Sequence, residues 1–268
     1  MNLINDIDEY LLNQESRPRE SHYASDVTAC KRQLYYKHTG QPISNPIEAG
    51  GLWKMRMGDA IHSLIHEFLK GRGYDIVDEV SLKKRYPNLT LPVSLRVDAL
   101  FAVSGQFYGV EVKTTYGAGV VNIKKRNQPK PEHLAQICMY ADAYGVHDWI
   151  LIYIGRDNGY RCQFELKYDP VKQVLKGPGC EVHLHHLLEN LKELERCIEE
   201  HEMPTREYWA AIKNGEIKNQ FQEDNKVYKS SWFCSYCGFK DHCWKDQVEK
   251  YRVGTNSETY LAGEEEDE

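Results

Sequence analysis

SLRVDALFAV at residues 94–103 and FYGVEVKTT at residues 107–115, joined through Ser104, Gly105 and Gln106, decide how this chain folds. Successive side chains of a strand point to opposite faces. Ser94, Arg96 and Asp98 therefore share one face, and Leu95, Val97, Ala99 and Phe101 the other. In the second run Glu111 and Lys113 lie together, opposite Val110 and Val112. Ser104 and Gly105 supply turn chemistry, so the two runs are expected to form a β-hairpin that carries two carboxylates and a lysine above an apolar sheet. Hard divalent cations prefer carboxylate oxygens. Such a pair could hold one against a phosphodiester while the lysine neutralises developing charge. A solvated hairpin face gives the same residues, so the rest of the chain has to decide.

Outward from the hairpin the order is helix, strands, helix, strands, an α/β pattern. Ile61, Leu64, Ile65, Phe68 and Leu69 repeat at helical spacing until Gly71 and Gly73 end the run. This helix carries Gly58-x3-His62, a small residue for close approach and an imidazole able to join a metal site; His66 is expected at the surface. DIVDEVSL reads as a strand. Lys124, Lys125, Arg126 and Lys130 read as a basic loop, equally suited to phosphates or to plain solvation. PEHLAQICMYADAYG forms a helix closed by Gly145, with His133, Gln136 and Tyr140 along one face, placed to contact a nucleic-acid backbone or to support Lys113. DWILIYIGR and YRCQFELKY are two further strands, and a long charged helix runs from about Glu181 to His201 with leucines along one side.

The 268 residues suffice for a sizeable core. Ile7, Tyr10 and Leu11 suggest a short amphipathic helix, so residues 1–24 read as helix and linker, 25–250 as the main domain and 251–268 as an acidic, disordered tail. Of the net charge of −6, the final EEEDE accounts for five, so bulk charge neither supports nor excludes a nucleic-acid partner. The opening MNLINDIDEY has no secretory pattern and no apolar run reaches membrane length, so a cytoplasmic protein is expected. Eight cysteines in that compartment read as packing residues or metal ligands.

Cys234, Cys237 and Cys243 form Cys-x2-Cys-x5-Cys within WFCSYCGFKDHCW, and Cys30 in SDVTACKRQLYY is the best fourth ligand. Cys138, Cys162 and Cys197 read as packing residues, and Cys180 has no evident place. One distant cysteine with three close ones suits an iron-sulfur cluster better than zinc; zinc, with His242 as a conceivable ligand, is the alternative. Either would pin the N-terminal region to the C-terminal region.

Taken in chain order, Cys30, Gly58-x3-His62, Asp98, Glu111-x-Lys113, Gln136-x3-Tyr140 and Cys234-x2-Cys-x5-Cys243 resemble the RecB-like iron-sulfur nucleases of PD-(D/E)xK type, which include the AddB nuclease domain and CRISPR-associated RecB-family exonucleases. The resemblance covers about residues 25 to 245, and the ordered set is specific where each motif alone is weak. It implies a restriction-endonuclease-like core, a central mixed β-sheet flanked by helices, plus an iron-sulfur region joining the two ends of the chain. It implies His62, Asp98, Glu111 and the Val112 carbonyl as ligands of magnesium or manganese, with Asp98, Glu111 and Lys113 catalytic and Gln136 and Tyr140 as the accessory motif. Cys30, Cys234, Cys237 and Cys243 would hold a [4Fe-4S] cluster. Val97 departs from the pattern, which has proline there. The implied activity is that of a metal-dependent exonuclease on single-stranded DNA or duplex ends, in recombination, repair, phage replication or CRISPR adaptation, beside a helicase, recombinase or integrase. A DNA-binding or assembly module with the nuclease fold is the competing reading. No Gly-x4-Gly-Lys-Ser/Thr motif appears, so no ATP motor is expected in this chain.

Overall fold

The computed structural model describes residues 1–13, 19–213, 216–223, 226–246, 248 and 260–262. In chain order the elements are α1 (Leu3–Leu12), β1 (His22–Tyr23), α2 (Lys31–His38), α3 (Ala49–Gly71), β2 (Ile76–Lys84), β3 (Val93–Val103), β4 (Gln106–Thr115), α4 (Gly117–Arg126) and α5 (Pro131–Tyr144). There follow β5 (Asp148–Gly155), β6 (Arg161–Asp169), β7 (Val174–Gly177), β8 (Cys180–His183) and α6 (Leu184–Glu199). The chain ends with β9 (Ala210–Lys213), β10 (Glu216–Lys218), β11 (Gln220–Glu223), β12 (Lys226–Lys229), α7 (Trp232–Ser235), α8 (Lys240–Cys243) and β13 (Tyr260–Ala262). Two compact units form: residues 1–14, 20–28 and 49–193, and residues 15–19, 29–48 and 194–268. Of the expected tail, all but 260–262 lies outside the described residues.

The first unit is built on an eight-stranded sheet in the order β1-β3-β4-β5-β6-β7-β8, with β2 also paired to β3. β1 runs parallel to β3 and β4 parallel to β5, while the other pairs are antiparallel. The result is the expected mixed sheet. The hairpin forms as the sequence predicts, with Ser104 and Gly105 both at positive φ, 51° and 79°, which gives the strands a turn that matches their twist. On one face Leu134, Ile137 and Met139 of α5 and Leu184, Leu187 and Leu191 of α6 pack with Leu95, Val97, Trp149, Leu151 and Tyr153. On the other, Ile65 and Leu69 of α3 cover Ala99, Phe101, Val110 and Val112. Helices thus flank the sheet on both sides.

The expectation that Leu95, Val97, Ala99 and Phe101 share one face fails at Asp98. Val97 belongs to the α5 side and Ala99 to the α3 side. The β2–β3 register passes from Asp78↔Ala99 to Val80↔Val97 without pairing Glu79 to Asp98, and Glu79 takes a φ of 51°. One unpaired residue on each strand shifts the alternation, as bulges do where a side chain must be re-aimed. Buried and less buried residues go on alternating along β3 through this point, so no break in hydrophobic pattern marks the change.

Three further differences concern local elements. The basic stretch is not a loop: Lys124, Lys125 and Arg126 form the last turn of α4, where cations favour the helix dipole, and Asn127 caps it in the left-handed region. The long helix starts at Leu184 rather than Glu181, because residues 180–183 pair with β7. His66 is buried at 6% exposure rather than at the surface, since helical period turns it toward Asp78 of β2. Among the described residues no helix is long and apolar enough to cross a membrane.

In the second unit β9 pairs with β10 and β13, and β11 with β12. Ala210, Ile212 and Trp244 form a small core, with Cys234 and Cys243 packed against it. The Tyr36 ring of α2 stacks obliquely on Phe239, with centroids 5.5 Å apart. Cys138, Cys162 and Cys197 lie in α5, β6 and α6 as expected, and Cys180 opens β8.

Candidate active site

Beyond the pair Ala99↔Val110 the β3–β4 ladder ends. There Asp98, released from strand pairing, accepts the Val112 N–H through Oδ2 at 2.7 Å and meets His62 Nδ1 through Oδ1 at 3.3 Å. Gly58 brings α3 to this point, since a Cβ at that position would stand 3.3 Å from the Thr114 hydroxyl. Glu111 is 2% exposed; its Oε1 lies 2.6 Å from Lys113 Nζ, while its Oε2 has no hydrogen-bond partner. Lys113 Nζ also donates to Gln136 Oε1 at 2.8 Å, and Gln136 Nε2 donates to the Tyr140 hydroxyl at 2.6 Å. His62, Asp98, Glu111, Lys113, Gln136 and Tyr140 all line one cavity of about 590 Å³.

Burial dominates the electrostatics here. It pushes Glu111 up to about 7, against the lowering charge of Lys113 and with the raising charge of Asp98. Burial also disfavours the charge on Asp98, but the hydrogen bond and charge of His62, with the Val112 N–H and Lys113, hold its carboxyl below the ordinary range. His62 shifts the opposite way: burial pulls it down, and the bond and charge of Asp98 outweigh that to raise it. Burial likewise raises Tyr140 far above an ordinary phenol, which keeps it a neutral hydroxyl.

His133 does not join this set. Its Nδ1 lies 2.8 Å from the Tyr153 hydroxyl, and burial, with the charges of Lys113 and Lys130, pulls it down to about 3. Two of the three polar residues on the α5 face therefore reach the site. Sequence alone assigned no role to Lys83 or Arg96, which also line the cavity; the alternation Ser81, Lys83 along β2 was the available signal.

Whether a hard cation fits is answered by the donor chemistry: the imidazole of His62 and the carboxylates of Asp98 and Glu111, the latter with one buried oxygen that has no partner, face a common space. In the second unit Cys30, Cys234, Cys237 and Cys243 line an apolar cavity of about 30 Å³ with Tyr36, Phe233 and Trp244, and burial raises every one of these thiols, Cys30 to about 11 and Cys234 to about 12. Four cysteines in an apolar setting fit a soft metal or an iron-sulfur cluster in kind. His242 is not among the lining residues. Among the described residues, however, no group of three or more His, Cys, Asp or Glu side chains is drawn together tightly enough to hold a metal as it stands. Both cavities gather ligand types around a space without closing them on a point.

No protein-family model and no curated protein matches this chain. Among solved structures, a protein designated SSO0001 is similar at a TM-score of 0.53 and 15% identity, over 89% of this chain and 95% of that one. An alkaline exonuclease, LHK-Exo from Laribacter hongkongensis, gives a TM-score of 0.47 at 15% identity over 74% of this chain and 96% of its own. The same exonuclease in complex with dAMP gives 0.45 at 17% identity, with the same coverage. At these identities the likeness to SSO0001 is one of fold.

Proposed function

We propose that this protein is a divalent-metal-dependent deoxyribonuclease of PD-(D/E)xK type that hydrolyses phosphodiesters in single-stranded DNA or at duplex ends. The observation that carries the reading is the convergence of Asp98, Glu111 and Lys113 where the hairpin ladder opens, with one oxygen of Glu111 buried and unpartnered. His62, Asp98, Glu111 and the Val112 carbonyl would hold magnesium or manganese, which supplies charge neutralisation and a more acidic water when bound. Lys113 stabilises negative charge on the phosphate as the bond to the leaving oxygen breaks. Gln136 accepts a second hydrogen bond from the Lys113 ammonium beside its contact with Glu111, and Gln136 in turn donates to Tyr140. Cys30, Cys234, Cys237 and Cys243 would hold a [4Fe-4S] cluster, with zinc as the alternative. Recombination, repair, phage replication or CRISPR adaptation in the cytoplasm, beside a helicase, recombinase or integrase, is the setting such an activity would serve.

The test is cleavage of end-labelled single-stranded and duplex DNA by anaerobically purified protein, with magnesium, manganese or chelator, beside Glu111→Ala. Metal-dependent loss of label that the variant reduces by about a hundredfold or more is expected. Equal cleavage by the pure variant would sink the assignment. Tight DNA binding with no turnover under any divalent metal would instead favour the assembly module.

A further inference from the structure

The active-site cavity has a second, cationic side. Lys83 of β2 and Arg96 of β3 both line it, yet neither side chain takes part in an ion pair or hydrogen bond among the described residues. Their neighbours in the ladder are hydroxyls, because the register sets Lys83 against Ser94 and Ser81 against Arg96. Directly opposed residues share a face, so all four side chains stand together on one side of the β2–β3 pair. The other lysine on this cavity, Lys113, is held by Glu111, and Lys84, next along β2, lies 2.6 Å from Asp142, so Lys83 and Arg96 are the cations that the cavity wall leaves without an acidic partner among the described residues. Two such cations beside the Ser81 hydroxyl and the Ser94 hydroxyl, which shares a 2.8 Å hydrogen bond with Ser21, make an environment suited to an anion with several acceptor oxygens.

Position identifies the anion. Arg96 lies two residues along β3 from Asp98, roughly 6.8 Å of strand, a span comparable to one nucleotide of an extended chain. We propose that Lys83 and Arg96, with Ser81 and Ser94, form a subsite for a backbone phosphate of the same DNA strand, next to the phosphate that is cut at Asp98 and Glu111. The inference rests on the nuclease reading and deepens it. The subsite grips the strand and leaves the reacting phosphate to the acidic side. It reads no base, so it contributes affinity without sequence preference.

The experiment compares wild type with Lys83→Ala, Arg96→Ala and the double variant. Binding of a fluorescein-labelled oligothymidylate is followed by anisotropy in chelator across a salt series, and cleavage of the same oligomer is followed in magnesium or manganese. Each single variant should raise Kd and KM severalfold and the double variant about tenfold or more, with kcat within about twofold of wild type. The slope of log Kd against log salt should fall by about 0.7 for each single-strand phosphate that the variant no longer neutralises. Arg96→Lys should recover part of the affinity, which a merely structural role would not require. Unchanged Kd and salt slope in the double variant, with wild type binding and cutting normally, would overturn the subsite and leave the nuclease reading standing. Wild type that neither binds nor cuts the oligomer would overturn both.

Discussion

Lys113 is held from two sides, by Glu111 Oε1 at 2.6 Å and by Gln136 Oε1 at 2.8 Å, and Gln136 is itself fixed by Tyr140. A chain of this kind acts through position, and an ammonium displaced by about 1 Å from its reacting group can lower a rate about a hundredfold. Gln136→Ala is therefore expected to reduce kcat by about ten- to a hundredfold while DNA affinity in chelator stays near wild type. Tyr140→Phe should have a smaller effect in the same assay, because it frees only the far end of the chain. Loss of affinity with unchanged kcat in Gln136→Ala would contradict the positioning role. His133 offers a test that does not depend on the reaction. Its pKa lies near 3 in the folded protein against 6.5 as the ordinary value, so the unfolded state binds the extra proton between those limits. Its contribution to stability is present above pH 6.5 and is lost as pH falls toward 3, at no more than about 1.4 kcal/mol per pH unit. Urea unfolding of His133→Gln should show a shallower decline over that window than wild type, and an identical pH profile would contradict a buried neutral imidazole.

At the scale of elements, legibility followed segment length and phase. The hairpin, α3, α5, β5 and β6 are long and periodic, and their types and order were readable from the chain. α4 was missed because its sequence, GAGVVNIKKR, mixes glycines and β-branched residues of low helix preference with lysines that suit a loop. β7 and β8 were missed because each is four residues long and the leucine repeat of α6 hides their end. Asp98, Glu111 and Lys113 were identified from alternation, but the alternation does not reveal that both strands break phase at Glu79 and Asp98, which is what turns Asp98 toward His62 and Val112. Gly109 tests how tightly the hairpin is seated. A Cβ there would stand 2.5 Å from the Trp149 ring, which is almost fully buried and anchored by its N–H to the Val146 carbonyl. Gly109→Ala is expected to cost about 2 kcal/mol through overpacking, lowering Tm by about 4–8 °C for a unit of this size. A Tm within a degree of wild type would show that the tryptophan moves without cost.

At the scale of the molecule, the second unit draws on residues 15–19 and 29–48 near the start of the chain and on residues from 194 onward. Its core is small, centred on Ala210, Ile212 and Trp244, and its strands have three or four residues each, too short to read from pattern. The cysteines were the legible part: Cys234, Cys237 and Cys243 by spacing, and Cys30 by context, and the structure places all four on one apolar cavity. A core of that size gains much from a metal-thiolate crosslink, because the free energy of binding the metal is also folding free energy. Anaerobically purified protein is therefore expected to contain iron and acid-labile sulfide, and Cys234→Ser to lose both. Limited proteolysis of that variant should then cut within residues 194–246 while fragments from residues 49–193 persist, because the sheet and its two helical layers keep their own core. Zinc in place of iron and sulfide would assign the four thiols to the alternative metal with the same proteolytic outcome. Wild type that carries neither metal, and resists protease as well as Cys234→Ser does, would show that the cavity is held by packing of Tyr36, Phe239 and Trp244 alone.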